Sequence, residues 1–583
     1  KKGYGFADLS PRRAVDPDRT LFRIGSISKT FTWIALMNEI EAGHMRLDGP
    51  VNLYLPEKVR VRDQGFDKPI TLRNLMSHTS GFEDRALGQI FERDYDRVRP
   101  LALNLRQERP RRVREPGRLP TYSNYGAALA GEALTTVTGK TFEALTEERI
   151  INPLGLSRTT FREPHPPREG VPAPMRPALA RNLADGLRWT PQGYQAQPFE
   201  YMGQIAPAAS ASSTAADMAR YMTVLLNGGT VGETTVFSPA VARDMRASLY
   251  RPAPMATGWN SGFQEMALPG GHAGFGHPGQ TLSFMSNMVL VPDLNLGIFI
   301  STNSETGLEL TRRLPGEIVA RFYAPGRQPP PPGSPELARQ PGVYAGNYLT
   351  TLRAYGGMEG FVRAISGLTR VEVTPTGYLT TTDKDGTQLW AATGTPGVFR
   401  AYDGSRTLVF RIEDGRAVRA FPPSGMETLE RRGRFAGPGL LSVLAALTAL
   451  ASLATLTGVA FRNRRDFRET AWQGRASQAQ NVQAILWLLS MGLFAVWASG
   501  ADDLTGLVYA WPGPWIVLAS ACALVAAVLT VATVILLPII WRGGRRVDSW
   551  SAGRKLRFTI TVLVFAAFSA DLAYWGALSP WSG

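Results

Sequence analysis

Residues Thr20 to Thr30 read Thr-Leu-Phe-Arg-Ile-Gly-Ser-Ile-Ser-Lys-Thr, and the tetrad Ser26-Ile27-Ser28-Lys29 within them decides the fold. Apolar residues follow at helical spacing (Phe31, Ile34, Ala35) and Gly43 supplies a stop, so the pattern predicts a helix from Ser26 to about Ala42. Residues three apart share a helix face, which brings the Lys29 amine within reach of the Ser26 hydroxyl. A serine hydroxyl is a poor nucleophile until a neighbour takes its proton. A lysine at this spacing can take it, or can hold another base in its anionic form. The helix start also offers backbone N–H groups to a developing oxyanion. Alone, such a tetrad is a common way to begin an exposed helix, so its meaning rests on the rest of the chain.

Two distant stretches supply that context. Tyr122-Ser123-Asn124 follows the Pro116-Gly117 turn and leads into a helix expected over 123–138 and closed at Gly139. A phenol becomes a usable base only beside a cation that stabilises its anion, and Lys29 is the candidate. Asn124 adds an amide able to bind both Lys29 and a substrate carbonyl. The third stretch is His277-Pro278-Gly279-Gln280, just ahead of a hairpin expected to start at Leu282 and to turn at Pro292-Asp293-Leu294-Asn295. Gly279 would let a substrate backbone approach closely, and the Gln280 N–H could complete an oxyanion hole with the Ser26 N–H. His272-Ala273-Gly274 matches the same pattern. His277 is preferred because its spacing to Phe284 and Pro292 fits without a gap.

The order S-x-x-K, Y-x-N, H-x-G resembles the serine β-lactamase-related family, which includes class C β-lactamases, carboxylesterases, D-aminopeptidases and D-alanyl-D-alanine carboxypeptidases. Supporting stretches are Thr20 to Thr30, Thr71 to Phe82 (TLRNLMSHTSGF), Thr121 to Gly126 (TYSNYG), Pro153 to Phe161 (PLGLSRTTF) and Pro207 to Met222. The resemblance spans about residues 1 to 304. It implies an α/β fold, an antiparallel sheet flanked by helices with an all-helical subdomain. It implies Ser26 as nucleophile, Lys29 and Tyr122 as its base pair, Asn124 as a substrate contact, and no cofactor or metal. The family's β-lactamases carry a lysine and a threonine where this chain has His277 and Pro278. A largely neutral imidazole and a proline recognise a substrate carboxylate poorly, so efficient β-lactam hydrolysis is disfavoured. In that family a helix and a strand precede the point where this chain starts, and no targeting segment opens it, so both are expected upstream.

Outward from this core, the periodicity sorts the 583 residues into regions. Residues 1–324 read as the hydrolase domain, with a further helix starting at Ser213-Thr214. A proline-rich stretch at 325–340 reads as an extended linker. Residues 341–432 alternate short strands (Val371 to Val373, Tyr378 to Thr382, Val398 to Arg400, Leu408 to Ile412) with turns at Asp385-Gly386, Asp403-Gly404 and Asp414-Gly415. This is a small all-β domain, expected as a partial barrel. Within 433–583, four apolar segments at about 437–461, 482–501, 513–541 and 558–578 are each long enough to cross a bilayer as a helix.

The net charge of +15 suggests nucleic acid at first, but much of it lies in two loops between those segments. One carries Arg462, Arg464, Arg465, Arg468 and Arg475; the other carries Arg542, Arg545, Arg546, Arg554, Lys555 and Arg557, while the loop between them holds Asp502-Asp503. The positive-inside rule puts both basic loops in the cytoplasm and the hydrolase on the periplasmic or extracellular side of a bacterial-type inner membrane. Arg431, Arg432 and Arg434 argue the other way and are outnumbered. The lipid bilayer is thus an expected partner and nucleic acid is not. The single Cys522 sits in an apolar run and excludes an internal disulfide or a thiolate site. Five scattered histidines give no metal-ligand spacing. His78 is expected to pack within its turn, His44 to be solvated, and Asp571 to make an interfacial or interhelical contact.

The expected reaction is acyl transfer through Ser26 on an amide bond of a small peptide, with a D-residue or acyl chain. A carboxylesterase is the first alternative. A penicillin-sensing receptor that is acylated without turnover is the second. A transporter lacks the inverted repeats and broken helices it would need.

Overall fold

The computed structural model describes residues 1–324, 331–402, 404, 406–433, 438–460, 469–501, 504–542 and 548–582. Arg434, Arg462, Arg464, Arg465, Arg468, Asp502, Asp503, Arg545, Arg546, Asp403 and the first part of the expected linker, 325–330, lie outside the described residues. The chain divides into two compact units: residues 1–352 with 369–431, and residues 353–368 with 432–583.

In the first unit, helix Ser28–Glu41 is buried nearly all round: Phe31, Trp33, Ile34 and Leu36 are wholly buried, and so are the polar residues Ser28, Lys29, Thr30 and Thr32. Ser26 precedes this helix in a tight 3-10 turn, Gly25–Ile27, which the Ser28 hydroxyl braces by donating to the Gly25 carbonyl at 2.6 Å. Helix Asn124–Thr138 starts where the Ser123 hydroxyl accepts the Gly126 N–H at 2.9 Å and ends at Gly139, whose φ of 69° is left-handed. Helix Ala215–Leu226 is capped by Thr214, which accepts the Asp217 N–H. Short helices Leu72–Met76, Leu101–Gln107 and Phe142–Thr146 share one hydrophobic core with these longer ones.

Four antiparallel strands form the sheet, in the spatial order Leu296–Thr302, Met285–Val291, Ala273–Gln280, Gln264–Ala267. Alternation sorts its two faces. Phe275, Met288 and Leu290 join the core that holds Phe31 and Ile34, while Val289, Val291 and Ile298 pack with Val319 of helix Leu308–Phe322. The expected hairpin turns at Pro292–Leu294, with Asn295 left-handed. His277 to Gln280 lie ahead of the hairpin strand as expected, though that strand starts at Met285 rather than Leu282, and they themselves form the end of a strand, Ala273–Gln280, paired there with Met285 to Met288.

The β module is a closed barrel rather than a partial one. Its eight strands are Gly346–Thr350, Leu368–Val373, Leu379–Asp383, Gly386–Ala392, Val398–Ala401, Thr407–Glu413, Arg416–Phe421 and Leu429–Arg431. The first and last close it, with Tyr348 opposite Arg431. An eight-stranded barrel can either hold a small ligand or fill itself with side chains. This one is filled: Tyr348, Leu379, Trp390, Phe399 and Phe410 pack inside, and Tyr344 sets its ring against Phe399 and Phe410 at 5.0 and 5.2 Å. Arg431 also holds the Val343 and Gly342 carbonyls at 2.8 and 3.1 Å, so this arginine has a task in the barrel.

The second unit contains four helices long and apolar enough to cross a membrane: Gly439–Val459, Ala471–Ser499, Pro514–Arg542 and Ala552–Trp575. The second of these starts well before its apolar run. Its early glutamines are buried between helices: Gln480 donates to the Phe558 carbonyl at 3.2 Å, and Gln483 donates to Thr530 and Thr533 at 3.2 and 3.1 Å. Arg554, Lys555 and Arg557 belong to the fourth helix rather than to a loop, and Arg554 pairs with Glu469 at 3.0 Å. Helix Gly357–Ser366 is an excursion of the chain between the first two barrel strands, and it packs in this second unit through Phe361 and Phe494, 5.5 Å apart.

Candidate active site

The turn that presents Ser26 is set by glycines. Gly25 has φ +50°, and a Cβ there would come within 2.6 Å of the Gln280 main chain. A Cβ on Gly279 would sit 2.0 Å from the Ile24 carbonyl oxygen. The close approach that Gly279 permits is therefore with the chain's own turn, which brings the Gln280 N–H beside the residue preceding Ser26. His272, the competing match, is at the far end of the same strand and pairs with Asp293.

Lys29 points from the first turn of its helix into a site of no solvent exposure. Its Nζ has three neighbours within hydrogen-bond distance: Ser26 Oγ at 3.0 Å, Asn124 Oδ1 at 2.7 Å and the Ala208 carbonyl at 2.9 Å. Burial drives the amine well below the usual lysine range, with the Asp84 carboxylate pulling the other way. A neutral amine has two N–H donors and one lone pair. The two carbonyl-type oxygens can only accept, so the donors go to Asn124 and Ala208, and the lone pair is left for the Ser26 hydroxyl proton. Ser26 itself is partly exposed, so the hydroxyl is reachable from solvent.

Tyr122 lies over this amine, its ring centroid 4.7 Å from Lys29 Nζ. Burial pushes the phenol well above its ordinary value; the nearby Ser26 hydroxyl lowers it and Asp84 adds to the rise. The free phenol is accordingly protonated at neutral pH. Its ring is flanked by His78 at 4.4 Å, His277 at 5.9 Å and Trp259 at 6.1 Å. His277 is fully buried and donates its Nδ1–H to the Pro278 carbonyl at 2.5 Å, leaving the Nε2 lone pair without a partner among the described residues. Burial is the main cause that pushes its imidazole down to about 3, and Lys29 in its charged form acts in the same direction. A neutral ring buried among aromatics is ill placed to grip a substrate carboxylate.

Around Tyr122, the hydrogen bonds of His78 and the presence of Asp84 and Trp259 were not read from the sequence. His78 Nδ1 accepts the Ser123 N–H at 3.2 Å, and its carbonyl accepts the Thr121 N–H at 2.8 Å, so His78 braces the segment bearing the phenol instead of only packing. It does so with φ +54°, a conformation costly for a side chain of this size. Asp84 is a carboxylate whose charge acts on both Lys29 and Tyr122. Trp259 presents an indole edge to His78 at 4.5 Å. The glycine turn at Gly81 and the run His78 to Asp84 were visible signals for the first two; nothing local marks Trp259. His44, expected in solvent, is largely exposed and pairs with Glu39.

A family model described as Beta-lactamase matches residues 1–320. Penicillin-binding protein 4 of Amycolatopsis lactamdurans is 26% identical over 327 residues, 54% of this chain and 82% of that protein. An N-acetylmuramyl-L-alanine amidase of Bacillus subtilis is 26% identical over 334 residues, 52% of this chain and 72% of that protein. Among solved structures, the octameric penicillin-binding protein homologue from Pyrococcus abyssi superimposes with a TM-score of 0.46 at 19% identity, covering 73% of this chain and 92% of that one. With an S-x-x-K serine and a buried amine at its centre and a family match over more than half its length, the chain belongs to the Beta-lactamase family and is a serine hydrolase.

Proposed function

We propose that this hydrolase cleaves amide bonds in small peptides, carrying a D-residue or an acyl chain, through an acyl intermediate on Ser26. The observation that supports it best is the buried Lys29 amine 3.0 Å from Ser26 Oγ, with Asn124 and Ala208 occupying its other valences. In this reading Lys29 takes the Ser26 proton as Oγ bonds to the substrate carbonyl carbon. The Ser26 and Gln280 N–H groups hold the oxyanion. When the C–N bond breaks, the amine leaving group takes a proton from the Tyr122 hydroxyl, which Lys29 replenishes. Water then attacks the Ser26 ester and gives its proton to the Lys29 amine; as the acyl C–Oγ bond breaks, Lys29 returns that proton to Ser26 Oγ and the acid is released. Asn124 is the substrate's amide contact, and His277 keeps the surroundings of Tyr122 dry and neutral.

The four apolar helices fit an anchor in a bacterial-type cytoplasmic membrane, with the hydrolase on its outer side by the positive-inside rule. The names of the relatives point the same way, toward cell-wall peptides: one is a penicillin-binding protein and another an amidase of muramyl-L-alanine. A panel of acyl-D-amino-acid amides and nitrophenyl esters tests the assignment. Amide turnover that disappears in Ser26→Ala is expected; turnover of esters alone would overturn the peptidase reading.

A further inference from the structure

The barrel reaches back to Tyr122. Between its last two strands the chain runs Pro422-Pro423-Ser424-Gly425-Met426-Glu427-Thr428, and four successive carbonyls of that loop accept hydrogen bonds from the hydrolase part of the same compact unit. Pro423 accepts from the Thr257 hydroxyl at 2.9 Å, Ser424 from Gln264 Nε2 at 2.6 Å and Gly425 from Trp259 Nε1 at 2.8 Å. Met426 accepts from the main-chain N–H of Tyr122 at 2.8 Å. The loop ends are also fixed: Thr428 N–H donates to Thr351 Oγ1 at 2.9 Å, and Val398, Val409 and Phe421 of the barrel pack with Leu119 and Ala256.

The main chain that carries the phenol is thus held from two sides. The N–H groups of Thr121, Tyr122 and Ser123 go in turn to the His78 carbonyl, the Met426 carbonyl and His78 Nδ1. The middle bond comes from the barrel. A surface module that merely decorated the enzyme would have no reason to place a carbonyl there, and a barrel filled with side chains has no room inside for a ligand to carry. What a solid barrel does well is hold a loop still. Gly425 completes the fit: its φ is +60°, and a Cβ there would meet Thr257 at 2.9 Å.

We infer that the Pro422–Thr428 loop is part of the active site, with Met426 a positioning residue that fixes Tyr122 over Ser26 and Lys29. The inference rests on the reading that Tyr122 works with Ser26. Displacing a participating group by about 1 Å can cost on the order of 100-fold in rate, which sets the scale of the expected effect.

The test measures the second-order rate at which a fluorophosphonate probe labels Ser26, as a function of pH, in the full chain. Wild type, Ser26→Ala, Gly425→Val and the milder Thr257→Val with Gln264→Leu are compared. Hydrogen exchange at Thr121 to Ser123 and the melting transition are followed alongside. Expected are faster exchange at Tyr122, labelling slowed by roughly 10- to 100-fold and a displaced pH profile, with the melting transition retained. Should Gly425→Val not fold, the double substitution decides, since it removes two hydrogen bonds and adds no bulk. Faster exchange at Tyr122 with an unchanged labelling rate and pH profile would overturn the inference and leave the loop a packing contact. Wild-type protein that takes no label at Ser26 would remove the hydrolytic reading beneath it instead.

Discussion

The barrel interior and the groups packed behind Ser26 are both buried, yet they are made of opposite materials. Inside the barrel, Tyr348, Leu379 and Ala417 are fully buried and apolar contacts dominate. The polar ends of its aromatics are satisfied: Trp390 Nε1 donates to Thr381 at 2.9 Å and the Tyr348 hydroxyl to the Tyr344 carbonyl at 2.8 Å. Around Ser26 the buried groups are Lys29, His78, Tyr122 and His277, and Tyr122 Oη, His78 Nε2 and His277 Nε2 are left without hydrogen-bond partners among the described residues. The two regions put burial to different uses: apolar packing holds the barrel's shape, while beside Ser26 burial lowers the basicity of an amine.

The contrast is broken most severely at the amine. Lys29→Met keeps the bulk and removes the lone pair, and it should lower turnover by about 100- to 10,000-fold while the fold persists. Steady-state kinetics beside circular dichroism checks this; activity near wild type would mean that another group takes the Ser26 proton. Next comes the barrel. Trp390→Ala empties part of its interior and should destabilise the unit by about 3–5 kcal/mol, read from chemical denaturation. The same variant should weaken catalysis through the loop at Met426, although Trp390 belongs to the barrel interior.

The pH dependence sharpens the comparison. Burial places the Lys29 amine well below the ordinary lysine value, so over the interval between its folded and unfolded values the unfolded chain binds the extra proton. Stability therefore rises with pH across that interval, and Lys29→Met should flatten the slope. Activity, which needs the neutral amine, should reach its plateau well below pH 10.5. A rate still climbing there would contradict a neutral Lys29. The smallest effect is expected in the helices of the second unit. Gln483→Leu removes hydrogen bonds to Thr530 and Thr533 and should cost about 0.6 kcal/mol of helix association in detergent, with hydrolysis unchanged.

Much of this architecture was legible because its signals are local. Ser26 and Lys29 sit three apart across the turn that opens one helix, Ser123 and Gly139 bracket another, and Pro292 to Asn295 announce a turn. The features that escaped depend on partners far along the chain. The strand Ala273–Gln280 contains Gly274, Gly276, Pro278 and Gly279, all poor strand formers, and it is held by partners distant in sequence, Gln264–Ala267 along its first half and Met285–Leu290 along its second. Barrel closure joins Tyr348 to Arg431, its two ends, and so left no mark on either. His78 looked like a packing residue because its hydrogen bonds to Thr121 and Ser123 are tertiary. The second apolar helix was read too short because its buried glutamines resemble a loop in sequence and face other helices in space.

The central claim is that Ser26 Oγ is the nucleophile that takes up the acyl group, activated by Lys29. Peptide mapping by tandem mass spectrometry of the protein after reaction with a fluorophosphonate tests it most directly. A single adduct on the Ser26 hydroxyl, absent from Ser26→Ala and slow to form in Lys29→Met, is the predicted result. An adduct on another residue, or undiminished labelling of Ser26→Ala, would contradict the account.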